Sequence, residues 1–367
     1  MIFNLGSIWS DGNATPLPNG VTLEIHHTTR RDIGTLSGYY SFAGGHWRSH
    51  RIDNTFDAKR NPAILDEWVY AIEDALVTSD NHIYTADGTQ LIGTGWAIKN
   101  DVIHDQAALK SDAIRVDETV IFAGMNAGYV YGHWLLHVMP RVVRMRQLFG
   151  DIPALVPLTP WDSTPHHTLA GLSEDKAIHI APAGGPSGIG AVRVSRLLVT
   201  NQIVLNPGIN AERFDHVLTQ FDFESSLFAV PEKLFVARKA GPSTHRTGMA
   251  NSDEVAEMME NFGFTIFYPE DHSWKDQISH FRGARVVVGE TGSSMHTAIF
   301  AGSDLTVVDI TPLADLSKRE WQRRIAQYRG QRYGIILGER EAMKKGWVAN
   351  LETVRAAIGS LDVVLPH

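Results

Sequence analysis

Residues 264–310 read FTIFYPEDHSWKDQISHFRGARVVVGETGSSMHTAIFAGSDLTVVDI, and the fold turns on this stretch. FTIFYPED (264–271), the continuous apolar run of ARVVVGE (284–290) and LTVVDI (305–310) have the composition of strands. SWKDQISHF (273–281) and SSMHTAIFAG (293–302) read as helices, the second closed by Gly302. Upstream, KLFVARK (233–239) is a further strand, and Ser252–Asn261 is a helix with Ser252 as its expected N-cap. Strands alternating with helices over short connections predict a parallel, doubly wound sheet covered on both faces.

Working outward, the signal weakens. Downstream, residues 317–329 and 350–360 read as helices, the last expected to pack back across the first domain. Toward the N-terminus, residues 1–120 form a β-rich extension of short strands and turns: VTLEIHH (21–27), TLSGYYSF (35–42), HIYTADG (82–88) and TVIFAG (119–124). HWLLHVMPRVVRMRQL (133–148) reads as a largely apolar helix with a kink expected at Pro140. IPALVPL (152–158), AIHIAP (177–182) and VSRLLVTNQIV (194–204) continue an α/β pattern. A helix is expected over 206–221 and a linker around Ser225–Glu232. A chain of 367 residues is too long for one ordinary core. Two domains are therefore expected, 1–225 and 226–367.

Composition excludes several classes of function. The net charge of −8 repels a phosphate backbone on average, which argues against nucleic acid as a partner. There is no cysteine, hence no disulfide, no thiolate metal site and no cysteine nucleophile. No run of about 18 apolar residues predicts a membrane span, and the N-terminal residues lack the pattern of a signal peptide. The expectation is a cytoplasmic protein, with peripheral membrane association and oligomeric state left open.

Four segments carry chemistry. The first is the turn Gly289-Glu290-Thr291-Gly292-Ser293-Ser294, which follows a strand and opens a helix containing His296. Its backbone N–H groups and hydroxyls suit a diphosphate, although a plain strand-to-helix turn has the same composition. The second is Arg238-Lys239 at the end of LFVAR, with Arg246 in the next loop. Such cations suit a phosphate leaving group, or are simply surface charge. The third is YGHWLLHVMPR (131–141), in which His133, His137 and Arg141 fall at i, i+4 and i+8 on one helical face. A histidine there can accept a proton near neutral pH. A satisfied pair of core histidines is the alternative. His-x-x-x-His is also a zinc spacing, but the zinc-protease motif needs Glu where Trp134 stands. The fourth is Pro269-Glu270-Asp271-His272, whose carboxylates can hold sugar or ribose hydroxyls or form a solvated loop. His26-His27, His46, His50 and His166-His167 show no ligand pattern and read as surface or packing residues.

Together these segments resemble glycosyltransferase family 61. YGHWLLHVMPR (131–141) looks like the family's Asn-Tyr-x-His-Trp-Leu-Leu-Glu/Asp-x-Leu-Pro-Arg block. VARKAGPSTHRTGMANSDEV (236–255) is similar to its Ser-Arg … Arg … Asn-Glu-x-Glu-Val block. Residues 264–310 follow its block containing Val-Val-Gly-x-His-Gly-Ala-Gly. His133, Trp134, Pro140, Arg141, Arg238, Arg246, Asn251, Glu254, Gln277 and Gly292 keep the family's residues. Val130, His137, Thr291, Ser293, Ser294 and Thr297 depart from them.

The resemblance implies two Rossmann-like domains of the GT-B type. It also implies a nucleotide-sugar donor, a saccharide acceptor and inversion at the anomeric carbon, with bacterial members looking like capsule enzymes. On this reading Arg238, Lys239, Arg246, Glu270, Asp271, Glu290, Thr291, Gly292, Ser293, Ser294 and His296 form the donor side, most simply for UDP. His133 and His137 are the catalytic candidates, with Trp134 and Arg141 on the acceptor side. No metal and no cofactor is expected. Rival readings are a pyruvyl or phosphosugar transferase of polysaccharide assembly, and a non-catalytic nucleotide- or glycan-binding homologue.

Overall fold

The computed structural model describes residues 2–4, 16–26, 38–43, 45–49, 67–92, 113–124, 128–160, 167, 170–180, 190–200, 218, 230–239, 248–312, 319–338 and 347–361. The chain separates into two α/β units, one formed by Met1–Arg31 with Asp57–Phe221 and the other by Asp32–Phe56 with Asp222–His367. The helix expected over 206–221 and most of the linker expected around Ser225–Glu232 lie outside the described residues. Among the described residues no helix is long and apolar enough to cross a membrane.

In the second unit the sheet order is β13 (Thr265–Phe267), β12 (Lys233–Val236), β14 (Val286–Glu290), β15 (Thr306–Pro312), β16 (Arg332–Gly338), β3 (Gly38–Ala43), β4 (His46–Ser49). Every pairing is parallel except that of β4 on β3. The apolar runs of 284–290 and 305–310 are thus central parallel strands, as their composition predicts. Gly38–Ala43 and His46–Ser49, from the N-terminal part of the chain, extend this sheet. Alternate residues face opposite sides. Phe235, Val288, Val308 and Ile310 pack with α3 (Ser252–Asn261) and α6 (Leu351–Gly359) in one core. On the other face lie α4 (Trp274–Gly283), the helical segment Ser293–Phe300 and α5 (Arg319–Arg329).

Three local expectations change here. The N-cap position of α3 is Asn251, not Ser252. The Asn251 amide is used elsewhere, donating to the Ala349 carbonyl and accepting from the Ala349 N–H, both at 2.9 Å. Ser293–Phe300 is a 3₁₀ helix, whose tighter winding follows a turn drawn in close to the sheet. The last helix, α6, packs into its own unit's core, where Trp47 donates its indole N–H to the Ala357 carbonyl at 3.1 Å.

The first unit holds a mixed sheet ordered β1 (Ile2–Asn4), β7 (Gln90–Ile92), β6 (Ile83–Tyr84), β5 (Glu67–Thr78), β11 (Ala191–Thr200), β8 (Ile114–Phe122), β9 (Ala154–Pro157), β10 (Ala177–Ile180), with β2 (Val21–His26) also on β5. Strands β11, β8, β9 and β10 are mutually parallel, whereas β5 runs antiparallel to β11. The 12-residue β5 is the longest of the strands that sequence reading passes over, β16 being another. Most of β5 is buried on both faces, so it lacks the alternation of a half-exposed strand. Its acidic pair Glu73-Asp74 also interrupts the apolar run, with Asp74 at φ +51 ion-paired to Arg193.

After β8 the chain enters a long helical segment: α1 (Tyr131–His133), a π-helical turn (Trp134–Val138) and α2 (Met139–Phe149). Proline has no N–H, and its ring clashes with the carbonyl four residues back in a regular α-helix. Here that carbonyl belongs to Leu136, inside the π-turn. The wider turn accommodates the ring, and the helix continues through Pro140.

Candidate functional site

In an open parallel sheet, ligands settle beyond the carboxyl ends of the strands where the connection order reverses. In the second unit that point lies between β12 and β14, because the chain runs from β12 to β13 on one side and returns to β14 on the other. Arg238 follows β12, and Thr291 to Ser294 follow β14. The turn is drawn in by two glycines. A Cβ on Gly289 would come within 2.6 Å of the Met295 sulfur, and one on Gly292 within 1.4 Å of Arg238 Nη2. The guanidinium therefore rests on the Gly292 α-carbon.

The donors at this turn can be counted. The Thr291 N–H is spent on the Ile310 carbonyl (3.0 Å), and the Met295 N–H on that of Gly292 (3.1 Å). This leaves the N–H groups of Gly292, Ser293 and Ser294 at the start of the 3₁₀ segment. Thr291 Oγ1 and Ser294 Oγ are buried with no hydrogen-bond partner among the described residues. Arg238 Nη2 reaches the Thr291 carbonyl only at 3.4 Å, so its hydrogen-bonding capacity is largely unspent.

Charge is balanced more closely than the sequence suggests. Glu290 is buried, and its Oε2 lies 4.0 Å from Arg238 Nε. Its Oε1 accepts from the Met249 N–H (3.0 Å) and the Trp347 indole N–H (3.3 Å). Lys239 is ion-paired with Asp271 at the exposed rim, which raises the ammonium pKa, chiefly through that hydrogen bond. The mouth is thus rich in donors rather than in net positive charge. Arg246 lies outside the described residues. Glu270 is exposed on the turn Pro269–Asp271, which Gln277 braces by donating its amide to the carbonyls of Pro269 (2.8 Å) and His272 (3.1 Å). His296 is half-buried, its Nδ1 3.1 Å from Oε1 of Gln322 on α5.

The first unit repeats the topological feature. From β8 the chain passes to β9 and β10, then returns to lay β11 on the opposite side of β8. The segment beginning at Tyr131 leaves β8 at that crossing. His133 is half-buried and His137 buried, their rings stacked with centroids 5.4 Å apart, so the shared face read from i, i+4 spacing exists. Trp134 is buried against His167, which in turn meets His179. The indole fills the core rather than facing a sugar. Arg141 is fully buried and donates from Nη1 to the Gly124 carbonyl at 2.9 Å.

Burial pushes the His179 imidazole below its ordinary 6.5, against a smaller opposing pull from Glu174. As pH falls through 6.5 the unfolded chain takes up the proton first. Stability is therefore flat above that value and falls between it and the folded pKa. Melting temperature followed from about pH 7.5 to pH 5 is expected to decline, and His179→Gln to remove part of that decline.

Three residues at the mouth escaped sequence reading. Gln322, Trp347 and Met249 meet the turn only through tertiary contacts, and nothing in their local sequence marks them. Two residues carrying the resemblance also prove to be architectural: Asn251 and Gln277 spend their hydrogen bonds on backbone groups.

Residues 131–308 match the family model described as Glycosyltransferase 61. The matched segment contains both the Tyr131–Arg141 block and the Gly289–Ser294 turn. No curated protein matches the chain.

Proposed function

Through residues 131–308 the chain belongs to glycosyltransferase family 61, and we propose that it moves a sugar from a nucleoside-diphosphate donor, UDP in the first instance, to a saccharide acceptor in the cytoplasm. On this reading the units are Rossmann-like domains of the GT-B type. The unit of Asp32–Phe56 with Asp222–His367 serves the donor, and that of Met1–Arg31 with Asp57–Phe221 the acceptor.

One observation supports this most strongly. Beyond the ends of the adjacent strands β12 and β14 the Arg238 guanidinium rests on Gly292, in a turn whose Thr291 and Ser294 hydroxyls have no hydrogen-bond partner among the described residues. A pyrophosphate accepts hydrogen bonds and donates none when ionised. It matches a turn of N–H and O–H donors, and directional donors hold it where charge is already balanced. Lys239 can exchange Asp271 for a phosphate oxygen. Glu270 remains free at the rim for a ribose or sugar hydroxyl.

The acceptor hydroxyl attacks the anomeric carbon as the bond from that carbon to the phosphate oxygen breaks. The proton passes to His133, and the nucleoside diphosphate leaves with the bonding pair. A single displacement inverts the centre. Arg238 and the turn N–H groups stabilise charge growing on the leaving oxygen without requiring a metal. His137, stacked beneath His133, holds the ring of the base in orientation.

A panel of nucleoside diphosphates read by thermal shift tests the donor assignment, since a ligand selective for the folded state raises the melting temperature. If no nucleotide shifts it, a transferase function fails and a non-catalytic glycan-binding role is favoured. His133→Ala is expected to lower turnover by about 10²–10⁴-fold, the usual contribution of a general base. UDP affinity should stay within about twofold, because the donor lies on the other unit's residues. Full turnover in that variant would overturn the base assignment.

A further inference from the structure

We infer that Glu290 is a positioning residue that never touches the donor, and that it presents Arg238 to the diphosphate under the control of Trp347. The inference rests on the donor reading above. Glu290 ends β14, and its carboxylate is a meeting point for four stretches of chain. Oε1 accepts from the Met249 N–H at 3.0 Å and from the Trp347 indole N–H at 3.3 Å. Oε2 faces Arg238 Nε at 4.0 Å. The side chain is 8% exposed and that of Arg238 26%. The carboxylate therefore sits behind the guanidinium, which stands at the solvent side.

This arrangement answers a question of orientation. Arginine has a long side chain with many rotamers, and an unsupported one loses much of its binding energy to ordering. A guanidinium attracted at its Nε edge by a buried carboxylate 4.0 Å away, with Gly292 beneath it, is biased beforehand toward one orientation. The carboxylate is anchored in turn. Trp347 pairs as an isolated β-bridge with Met249, and the Ala250 N–H donates to the Trp347 carbonyl at 2.8 Å. Gly248 leaves room beside both Glu290 oxygens, where an added Cβ would stand 3.6 Å from each. The chain from Trp347 through Glu290 to Arg238 thus links the segment before α6 to the donor turn.

A double-mutant cycle on the full chain tests this, with UDP and inorganic pyrophosphate as probes in isothermal titration. Glu290→Gln keeps an oxygen for Met249 and Trp347 and removes the charge facing Arg238. It is expected to weaken both probes about tenfold in the native background and to change nothing in an Arg238→Ala background. Trp347→Phe keeps the ring in the core and removes only the N–H. It is expected to weaken binding by about two- to threefold, again only when Arg238 is present. A merely structural Glu290 would lower the melting temperature alike in both backgrounds and leave affinity unmoved. Tighter binding in Glu290→Gln would show that the carboxylate simply neutralises the cation, and would overturn the inference. If Arg238→Ala itself leaves UDP and pyrophosphate affinity unchanged, the donor reading fails instead, and the two failures are told apart.

Discussion

Gly292→Ala is expected to weaken UDP binding about as severely as removal of Arg238. An added Cβ would stand 1.4 Å from Arg238 Nη2 and 2.7 Å from its Cζ, so the two groups cannot coexist as placed. Backbone strain is not the cause, because Gly292 has φ 169, an extended conformation open to any residue. The loss comes from displacing the guanidinium. Hydrogen bonds from a charged donor contribute about 1.5–3 kcal/mol, or roughly 10- to 150-fold in affinity. Titration with UDP measures it. The same substitution in an Arg238→Ala background is expected to cost little more, since its target is gone. A Gly292→Ala protein that binds UDP normally would show that the turn does not receive the diphosphate.

Arg141→Ala is expected to act on stability, not on the acceptor. The side chain is fully buried and one N–H goes to the Gly124 carbonyl. Gly124 itself is tightly held, since an added Cβ would meet Asn81 Oδ1 at 2.4 Å and the Phe122 ring at 2.7 Å. Truncation leaves a cavity and strips that carbonyl of its guanidinium donor. Together these cost about 3–5 kcal/mol. At roughly 2–4 °C per kcal/mol for a unit of this size, the melting temperature falls by about 6–20 °C. Calorimetry measures the fall. A variant that melts like the parent but loses acceptor affinity would return Arg141 to the acceptor side, where its place in the resembling block suggests it.

The two predictions show why the motif and the site overlap only in part. The blocks at 131–141, 236–255 and 264–310 are legible because they are contiguous, and strand-turn-helix chemistry is local. Within them, residues that hold backbone in place are spelled no differently from residues that meet a ligand. Asn251 and Gln277 became architectural only once their backbone partners were visible, 98 and 8 residues away. The long central strand β5 was missed for a related reason. Burial on both faces removes the alternation by which a strand announces itself.

By itself the sequence determined the α/β class, the parallel strands at 284–290 and 305–310, the shared face of His133 and His137, and the glycine turn after β14. All of these depend on residues within a turn or two of one another. Tertiary structure alone decided that β3 and β4 extend the second sheet, that Lys239 faces Asp271, and that Glu290 stands between Arg238 and Trp347. Those relations depend on which distant segments a sheet brings side by side, and on how burial leaves each charge either paired or open to water.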